Sequence, residues 1–425
     1  MKVSIPHIHK IEGEMGFFAE VARTGQIKKL KLTTQLGLRQ IEGILVGRRA
    51  QDVPIVVSRI CGICPVVHIL NACLSLEKAL EIQVSEVTTL LRKLFLASQI
   101  IHSHALHLFF MSLPDFLNIE NDLDLFKKFK KESEAAIKIR DFALTITKII
   151  GGRKVHPVTP TIGGFRRYPD KKELKKVLAD YPATFELALF LIETLAKINY
   201  PQLLKSTDYL SLFMPQDYAF YRAERVKIGQ EVMSIGDFYS NEIEEDLKIP
   251  PVKRTKYKGK VYMLGAAGRI KNSFQNLNQV ARSQLEKFLK EQNLTKEEFF
   301  QNRFYNLFSQ GIEILHFLEL SKALIEKLVQ LDLSEEIKEV KINKGSGLSA
   351  MEAPRGTLFT YFEIDKNSRI LNCNIITPTA QFLNNLEEDL KIFLPQIMNL
   401  SPKEKIKKIR SLIRVYDPCI SCATH

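Results

Sequence analysis

The chain ends in the run Asp417-Pro418-Cys419-Ile420-Ser421-Cys422-Ala423-Thr424-His425, which places two cysteines at C-x-x-C spacing and a histidine as its last residue. The other C-x-x-C pair is Cys61-Gly62-Ile63-Cys64, which His68 follows four residues later. Two such pairs near opposite ends of 425 residues suggest one metal centre that ties the ends together. Four thiolates suit zinc, an iron–sulfur cluster or nickel. Two unrelated pairs are the alternative.

The first pair lies where a helix can begin. Pro65 directly follows Cys64 and is tolerated in a first helical turn. Thiolates three residues apart at a helix start can chelate one metal, and the helix dipole helps to keep them ionised. Cys73 and Cys373 have no partner in a motif, so we expect them to be small buried hydrophobic residues.

The composition is that of an ordinary large globular protein. Hydrophobic residues make up 45% and charged residues 26% of the chain, and the net charge is +13. The excess of basic residues is scattered, and no basic patch interleaved with aromatic residues or other nucleic-acid motif occurs. We therefore expect solvated charged faces and no nucleic-acid function.

The sequence favours a cytoplasmic protein that does not span a membrane. Met1–Lys10 lacks the apolar core of a signal peptide. The uncharged stretch Leu94–Pro114 is long enough for a membrane span, but it contains three histidines, a glutamine and three serines, which fits a buried bundle helix better. Six cysteines without a secretory signal indicate a reducing compartment, where C-x-x-C pairs serve metal or redox chemistry.

Short β-elements are predicted near both ends of the chain. The first fifty residues suggest a meander, and the region from Tyr200 to Tyr257 has only weak periodicity. The predicted strands are Val3–Ile8, Gly16–Ala22, Ile27–Leu36, Glu336–Asn343 and Leu358–Ile376, the last of them broken at Lys366-Asn367-Ser368 into a hairpin.

Most of the remaining chain has helical periodicity. The helices are too many and too long for a simple doubly wound sheet, so we predict a mainly α fold, a large helical bundle with small peripheral β-elements. We treat residues 1–425 as one unit, with a β-rich part (1–50), a helical body with the first C-x-x-C (51–335) and an α/β part with the second (336–425). The predicted helices are Glu42–Arg49, Val84–Leu113, Leu123–Ile150, Lys171–Asn199, Asn276–Gln292, Glu297–Leu331 and Gln381–Val415.

Two long motifs carry a resemblance to a known family. The runs Arg59–His68 and Asp417–His425 resemble the two signature motifs of the nickel–iron hydrogenase large subunit. The resemblance implies a helical bundle with peripheral β-structure and the reaction H2 ⇌ 2H+ + 2e−. Shorter segments resemble the family in the expected order: Ile11-Glu12-Gly13, Leu38-Arg39-Gln40-Ile41-Glu42, His107–Asp115, Gly152–Gly164, Glu352-Ala353-Pro354-Arg355-Gly356 and Thr377-Pro378-Thr379.

The resemblance implies roles for the four motif cysteines. Cys61 and Cys419 would bind nickel terminally, and Cys64 and Cys422 would bridge nickel to an iron that carries carbonyl and cyanide ligands. Soft anionic sulfurs donate charge to nickel, and bridging sulfurs hold the two metals close together. His68 would contact a bridging cysteine.

The same resemblance implies a catalytic set. Cys419 would take a proton, and Glu12 would be the gate that passes it outward, although from sequence alone Glu12 is more simply a solvated turn carboxylate. Arg355 would lie over the open metal position with its guanidinium near a cyanide. Asp115 and Asp417 would hold that arginine by charge-assisted hydrogen bonds.

Further residues match the family's cofactor surroundings. Pro354 would shape the wall of the pocket with Pro378, and Thr379 would donate a hydrogen bond to the other cyanide. Family members are made with a C-terminal extension that a maturation protease removes after the last residue of the second motif, so we expect this chain to be the mature form. The resemblance also implies a buried magnesium ion, iron in some members, whose ligands are Glu42, the backbone carbonyl of Ile375 and His425.

The electrons must leave through other polypeptides. The chain has no Gly-rich dinucleotide fingerprint and too few remaining cysteines for an iron–sulfur cluster, so we expect clusters only in partner subunits. The implied partners are an iron–sulfur small subunit, diaphorase-type or other electron-transfer subunits, the maturation protease and nickel-insertion factors.

The departures from the respiratory members favour the soluble cytoplasmic group. Many respiratory members have a histidine where this chain has Glu14, and the chain contains no tryptophan. The run Ser103–Leu108 favours NAD(P)-linked and sulfhydrogenase-type enzymes, so NAD(P) is the expected acceptor. The alternatives are coupling to heterodisulfide reductase or coenzyme F420, a regulatory H2 sensor and, more remotely, a structural four-cysteine zinc protein.

Overall fold

The computed structural model of the protein describes residues 2–22, 25–34, 37, 39–119, 121–246, 252–334 and 344–425. Helices dominate this part of the chain, which confirms the mainly α fold class. In chain order the helices are α1 (Ile41–Leu45), α2 (Val53–Val57), α3 (Pro65–Ala79), α4 (Glu86–Leu106), α5 (Leu113–Phe116), α6 (Asp122–Lys128), α7 (Lys130–Gly151), α8 (Lys171–Ala196), α9 (Ile235–Asp237), α10 (Ala266–Ser273), α11 (Gln279–Glu291), α12 (Lys296–Gln301), α13 (Asn306–Leu328), α14 (Pro378–Gln396), α15 (Pro402–Val415) and α16 (Ile420–Ala423).

The strands form small antiparallel sheets. The sheets among the described residues are β1-β2-β3, β4-β5, β6-β7-β8, β9-β10 and β11-β12-β13. In chain order the strands are β1 (Lys2–Ile5), β2 (Met15–Val21), β3 (Ile27–Thr34), β4 (Pro160–Thr161), β5 (Gly164–Phe165), β6 (Leu210–Phe213), β7 (Arg225–Ile228), β8 (Glu231–Ser234), β9 (Ile243–Asp246), β10 (Arg254–Tyr257), β11 (Gly345–Ala353), β12 (Gly356–Ile364) and β13 (Ile370–Ile376).

Four long helices, α4, α7, α8 and α13, form the central bundle. Helices α4 and α8 each pack against both α7 and α13. Helix α4 begins at Ser85, whose side chain accepts a hydrogen bond from the backbone N of Thr88, and it continues through a π-helical segment into α5. In the described part of the chain, Glu86–Phe116 is the one helical stretch long and apolar enough to cross a membrane, and 83% of its most apolar window is buried inside the protein. It therefore serves as the core of the bundle.

Helix α3, which follows the first C-x-x-C pair, is fixed on the C-terminal sheet. It packs against β11 and β12. A Cβ atom at Gly347 would lie 2.0 Å from the carbonyl oxygen of Ser75, so only glycine allows this close approach. The Ser75 hydroxyl donates a hydrogen bond to the Gly347 carbonyl at 2.7 Å, and the Asn71 amide donates to the Leu358 carbonyl at 2.9 Å. The two ends of the sequence thus share one packed layer.

Three predicted long helices are divided in the structure. Residues 123–150 are interrupted at Phe129, 297–331 between α12 and α13, and 381–415 between α14 and α15. The last break has a clear cause, because Ser401 and Glu404 form a capping box and Pro402 begins the new helix. Apolar periodicity continues across such breaks, so it does not reveal them.

Some strands were not predicted. The region from Tyr200 to Tyr257 contains β6 to β9 and β10, whose short pairings carry little alternation. Strand β11 was missed because its first three residues include two glycines. The strand predicted at 336–343 lies outside the described residues.

Candidate metal centre

The two C-x-x-C pairs meet in the interior of the protein. Cys64 is the N-cap of α3, and Cys419 is the N-cap of α16. The Sγ atoms of Cys61, Cys64, Cys419 and Cys422 all lie within 4.8 Å of one another, and all four residues are buried. The Sγ–Sγ distances are 3.5 Å for Cys61–Cys419, 3.1 Å for Cys64–Cys422 and 2.9 Å for Cys419–Cys422. Helix starts at opposite ends of the sequence therefore supply one cluster of sulfurs.

The chemistry of this cluster fits a soft metal centre. The sulfurs are free thiols, and their separations exceed the ~2.05 Å of a disulfide. Hydrogen bonding from Cys419 holds the pKa of Cys61 well below its usual value, whereas burial raises the pKa of Cys419 and Cys422 well above theirs. Because four buried thiolates cannot ionise together without a compensating charge, the cluster requires a cation, and sulfur ligands select a soft one.

Glu12, in the loop between β1 and β2, touches the second pair. Its backbone carbonyl accepts a hydrogen bond from the Ile420 N at 2.9 Å. The Cys419 thiol donates to Glu12 Oε2 at 3.0 Å, and the Ser421 N donates to the same oxygen at 3.0 Å. The Ser421 hydroxyl donates to Glu12 Oε1 at 2.6 Å. The carboxylate is thus fixed in contact with one of the clustered sulfurs.

Arg355 occupies the tight turn between β11 and β12. The turn needs glycine at position 356, where φ is +129° and a Cβ atom would lie 1.9 Å from the Leu264 side chain. Arg355 Nε donates to the Asp417 carbonyl at 2.6 Å, and Nη2 donates to Asp417 Oδ1 at 2.8 Å. Burial opposes its charge, but Asp417 and the cysteines hold the pKa of Arg355 well above its usual value. The third nitrogen, Nη1, is buried and has no hydrogen-bond partner among the described residues.

Arg355 faces a small cavity beside the sulfurs. The cavity contains about 260 Å³ of space between atoms. Thr379 Oγ1 accepts a hydrogen bond from the Cys419 N at 3.0 Å, so its hydroxyl hydrogen can point elsewhere. His68 Nε2 lies 3.5 Å from Cys422 Sγ, and burial lowers the pKa of His68 to about 3. The lining residues include His68, Pro354, Arg355, Pro378 and Thr379.

Asp115 does not hold Arg355 as predicted. Asp115 Oδ1 accepts a hydrogen bond from Arg414 Nη1 at 2.6 Å. His107 lies on the Asp417 side instead, with Nε2 3.8 Å from Asp417 Oδ1. Since Arg414 on α15 satisfies Asp115, Asp417 is the carboxylate that pairs with Arg355.

The residues of the predicted magnesium site do come together, but in company with a lysine. His425 Nε2 lies 2.9 Å from the Ile375 carbonyl oxygen and 3.8 Å from Glu42 Oε1. The ammonium group of Lys253 lies 2.6 Å from Glu42 Oε1 and 3.4 Å from the Ile375 carbonyl oxygen. No motif in the sequence pointed to this lysine.

A buried ion-pair network behind the Arg355 turn was also missed. Arg269 on α10 binds Glu313 of α13 through two nitrogens at 2.6 Å each, and Glu352 at 3.0 Å. Its guanidinium also donates to the carbonyls of Ala353 at 2.8 Å and Pro354 at 3.0 Å. Arg269 thus fixes the backbone that leads into Arg355. The available signal was Glu313, a charged residue within an apolar helix.

Arg39 links the two cysteine motifs. Its Nη2 donates to the Ile60 carbonyl at 2.7 Å and to the Ser421 carbonyl, and its backbone N donates to the Thr424 carbonyl at 2.9 Å. The resemblance placed Arg39 in a family segment without giving it a function. Its contacts with both motifs exist only in the folded chain.

Comparison with known proteins agrees with this geometry. The family model described as nickel-dependent hydrogenase matches residues 39–141 and 205–425. The alpha chain of sulfhydrogenase 1 from Pyrococcus furiosus is 30% identical and aligns with 100% of this chain and 98% of its own length. A polypeptide of the F420-non-reducing hydrogenase vhu from Methanocaldococcus jannaschii is 28% identical over 92% of this chain and 98% of its own.

Solved structures share the fold at lower identity. A chain of an NAD+-reducing NiFe hydrogenase in the H2-reduced state has a TM-score of 0.88 with 23% identity, covering 100% of this chain and 99% of that chain. The Ni-Fe-Se hydrogenase of D. vulgaris Hildenborough gives a TM-score of 0.82 with 21% identity and full coverage of both chains.

The fold and the four-sulfur site define the class of protein as a metal-dependent oxidoreductase subunit. The chain belongs to the nickel-dependent hydrogenase family, because the family model covers most of its length. It is therefore a hydrogenase subunit with a four-cysteine metal site.

The buried position of Arg269 predicts a large effect on stability. In Arg269→Met, Glu313 and Glu352 lose their shared counter-charge, so the free energy of unfolding should fall by about 3–5 kcal/mol. Chemical unfolding of the purified protein measures this loss. Lys271→Met is the matched control on the same helix, because its ion pair with Glu297 is at the surface and contributes under ~1 kcal/mol. Equal losses in the two variants would contradict a network that depends on burial.

Proposed function

We propose that this chain is the catalytic subunit that splits H2 heterolytically and reversibly at a nickel–iron centre held by its four motif cysteines. Cys61 and Cys419 would be terminal ligands of nickel, and Cys64 and Cys422 would bridge nickel to iron. The observation that carries this proposal is the buried cluster of four sulfurs with a carboxylate and a guanidinium both close by. When bound there, the centre supplies the redox-active site that takes up the electrons of H2.

The chain provides an exit for the proton. Cys419 Sγ is the sulfur in contact with a carboxylate, Glu12 Oε2, at 3.0 Å. A proton on this sulfur can therefore pass to Glu12 without rearrangement. The two hydrogen bonds from Ser421 orient the carboxylate, and the side chain of Glu12 is half-buried, so it lies between the cluster and the outside.

Arg355 and Thr379 are placed to act on the iron side of the cavity. Arg355 carries a permanent charge, is held by Asp417 and keeps one nitrogen without a partner among the described residues. That nitrogen can bind a cyanide ligand or polarise H2. Thr379 uses its oxygen as an acceptor and so can donate its hydrogen to a second cyanide. Pro354 and Pro378 would exclude water from the same cavity.

We infer that the electrons pass to an iron–sulfur small subunit. Cys73 and Cys373 are the cysteines outside the cluster, and burial raises the pKa of each to about 12, so neither is a ready ligand for a cluster. The relatives are themselves named as single subunits of hydrogenases. Nickel-insertion factors and a maturation protease are the further partners proposed, with the cytoplasm as the location.

NAD(P), reached through diaphorase-type subunits, is the acceptor that we propose. The support is the likeness in fold to an NAD+-reducing enzyme and the sulfhydrogenase relatives. Relatives named as F420-non-reducing hydrogenases keep coupling to heterodisulfide reductase or another carrier as the second candidate. H2-dependent reduction of NAD(P), tested on the copurified complex, separates the two.

An infrared spectrum tests the proposed centre. The purified complex should show carbonyl and cyanide stretching bands together with nickel in an amount equal to that of this chain, because soft sulfurs and the two donors described above favour such a centre. Zinc without these bands, in protein that was produced with its maturation factors, would contradict the nickel–iron proposal and favour a structural zinc site.

Glu12→Gln should separate proton transfer from metal binding. The amide keeps the shape of the side chain but cannot take up a proton, so H/D exchange between H2 and water should slow by about 10²–10⁴-fold. Nickel content and infrared bands should not change. Glu14→Gln is the matched control, since Glu14 is exposed two residues away. Unchanged exchange in Glu12→Gln would refute the proton path.

Arg355→Lys should lower H2 oxidation while leaving the metals in place. Lysine keeps the charge but cannot bind Asp417 through two nitrogens and still present a third to the cavity. We expect a loss of about 10²–10³-fold in kcat, the size seen when one electrostatic donor is removed. Arg410→Lys, on α15 away from the cysteines, serves as the control. Full activity in Arg355→Lys with normal nickel content would exclude the proposed role.

A further inference from the structure

The site that family resemblance assigns to a divalent cation contains an amino group of the chain itself. Lys253 Nζ lies 2.6 Å from Glu42 Oε1, 2.7 Å from Asn374 Oδ1 and 3.4 Å from the Ile375 carbonyl oxygen. The side chains of Lys253 and Glu42 are 17% and 21% exposed, so the pair is largely shielded from solvent. The ammonium group contacts two of the three groups that would bind the metal.

The atoms that a metal ion would need are already hydrogen-bonded. Glu42 Oε1 accepts a second hydrogen bond from the Ile375 N at 2.7 Å. His425 Nε2 faces the Ile375 carbonyl oxygen at 2.9 Å, and its Nδ1 contacts the Cys422 carbonyl oxygen. Magnesium demands near-ideal octahedral coordination at about 2.0–2.1 Å. These groups are arranged instead as partners of N–H donors.

The charges also favour the lysine. One carboxylate, Glu42, faces one ammonium group, so the pair is neutral. A divalent ion bound to the same carboxylate would place two further positive charges within a few ångströms of Lys253. The resulting repulsion is strong in a site shielded from water. The donor set therefore does not fit magnesium while Lys253 occupies this position.

We propose that Lys253 is the built-in cation of this site, and that its ammonium group takes the place of the divalent metal ion. Lys253 joins Glu42 of α1 to the end of β13 at Ile375. Ile375 in turn contacts His425, which contacts the backbone of Cys422. Lys253 is thus a positioning residue for the terminal cysteine motif. The inference does not depend on which metals the four cysteines hold.

The wild-type holoenzyme provides the first test. Metal analysis should find no magnesium in proportion to the nickel. Hydrogen–deuterium exchange of the terminal peptide 417–425 should be the same before and after dialysis against EDTA, with retained nickel as the internal control. One magnesium per nickel, or faster exchange of this peptide after chelation, would overturn the proposal. This measurement needs no variant and is independent of H2 turnover.

Lys253→Met provides the second test. Because a charge-assisted hydrogen bond is lost, exchange in peptide 417–425 should become about tenfold faster or more. Added MgCl2 should slow it again, since Glu42 without an ammonium partner can accept a hydrated cation. Lys253→Arg, which keeps the charge, should behave as the wild type does towards EDTA and MgCl2.

Lys205→Met is the matched control for the loss of a shielded lysine. Lys205 is also 17% exposed, but it pairs with Glu388 and Asp389. This variant should leave the exchange of peptide 417–425 unchanged and insensitive to MgCl2. Wild-type exchange in Lys253→Met, or an equal effect of MgCl2 on both variants, would refute the role of Lys253.

Discussion

The convergence of two distant C-x-x-C pairs on one buried point is the constraint on which the rest of the structure depends. The sulfurs come from loops 358 residues apart, yet they lie within 4.8 Å of one another. Each pair occupies a helix start, which is held by contacts outside its own motif. Helix α3 is fixed on the C-terminal sheet, and the terminal turn is bonded to Glu12 in the N-terminal loop. Small errors in either support would separate the sulfurs.

Paired buried charges supply the rigidity around this point. An unpaired charge in the interior is costly, so Arg355 and Asp417 stabilise each other only in one arrangement. Arg269 repeats this pattern one layer further out, where it binds two carboxylates and two backbone carbonyls. Lys253 provides the same kind of support on the opposite side of the terminal turn. The reactive region is thus surrounded by groups whose partners determine their positions.

Helical periodicity predicted the bundle well but not its interruptions. The long apolar repeats of α4, α7, α8 and α13 identified these helices because each must bury one face against its neighbours. The breaks at Phe129 and Ser401 depend on local caps that leave the repeat intact. The short strands between residues 200 and 257 were not predicted, since a four-residue strand carries too little alternation to be recognised.

The sequence by itself determined the class of protein, through cysteine spacing and two long motifs that need particular residue types at particular positions. It also indicated Glu12 and Arg355, but only by resemblance to a family. The tertiary structure alone decided which groups meet: Asp417 and not Asp115 pairs with Arg355, and Lys253 enters the predicted magnesium site. The physical reason is that ion pairs depend on distance and burial in the folded chain, and a linear order of residues specifies neither.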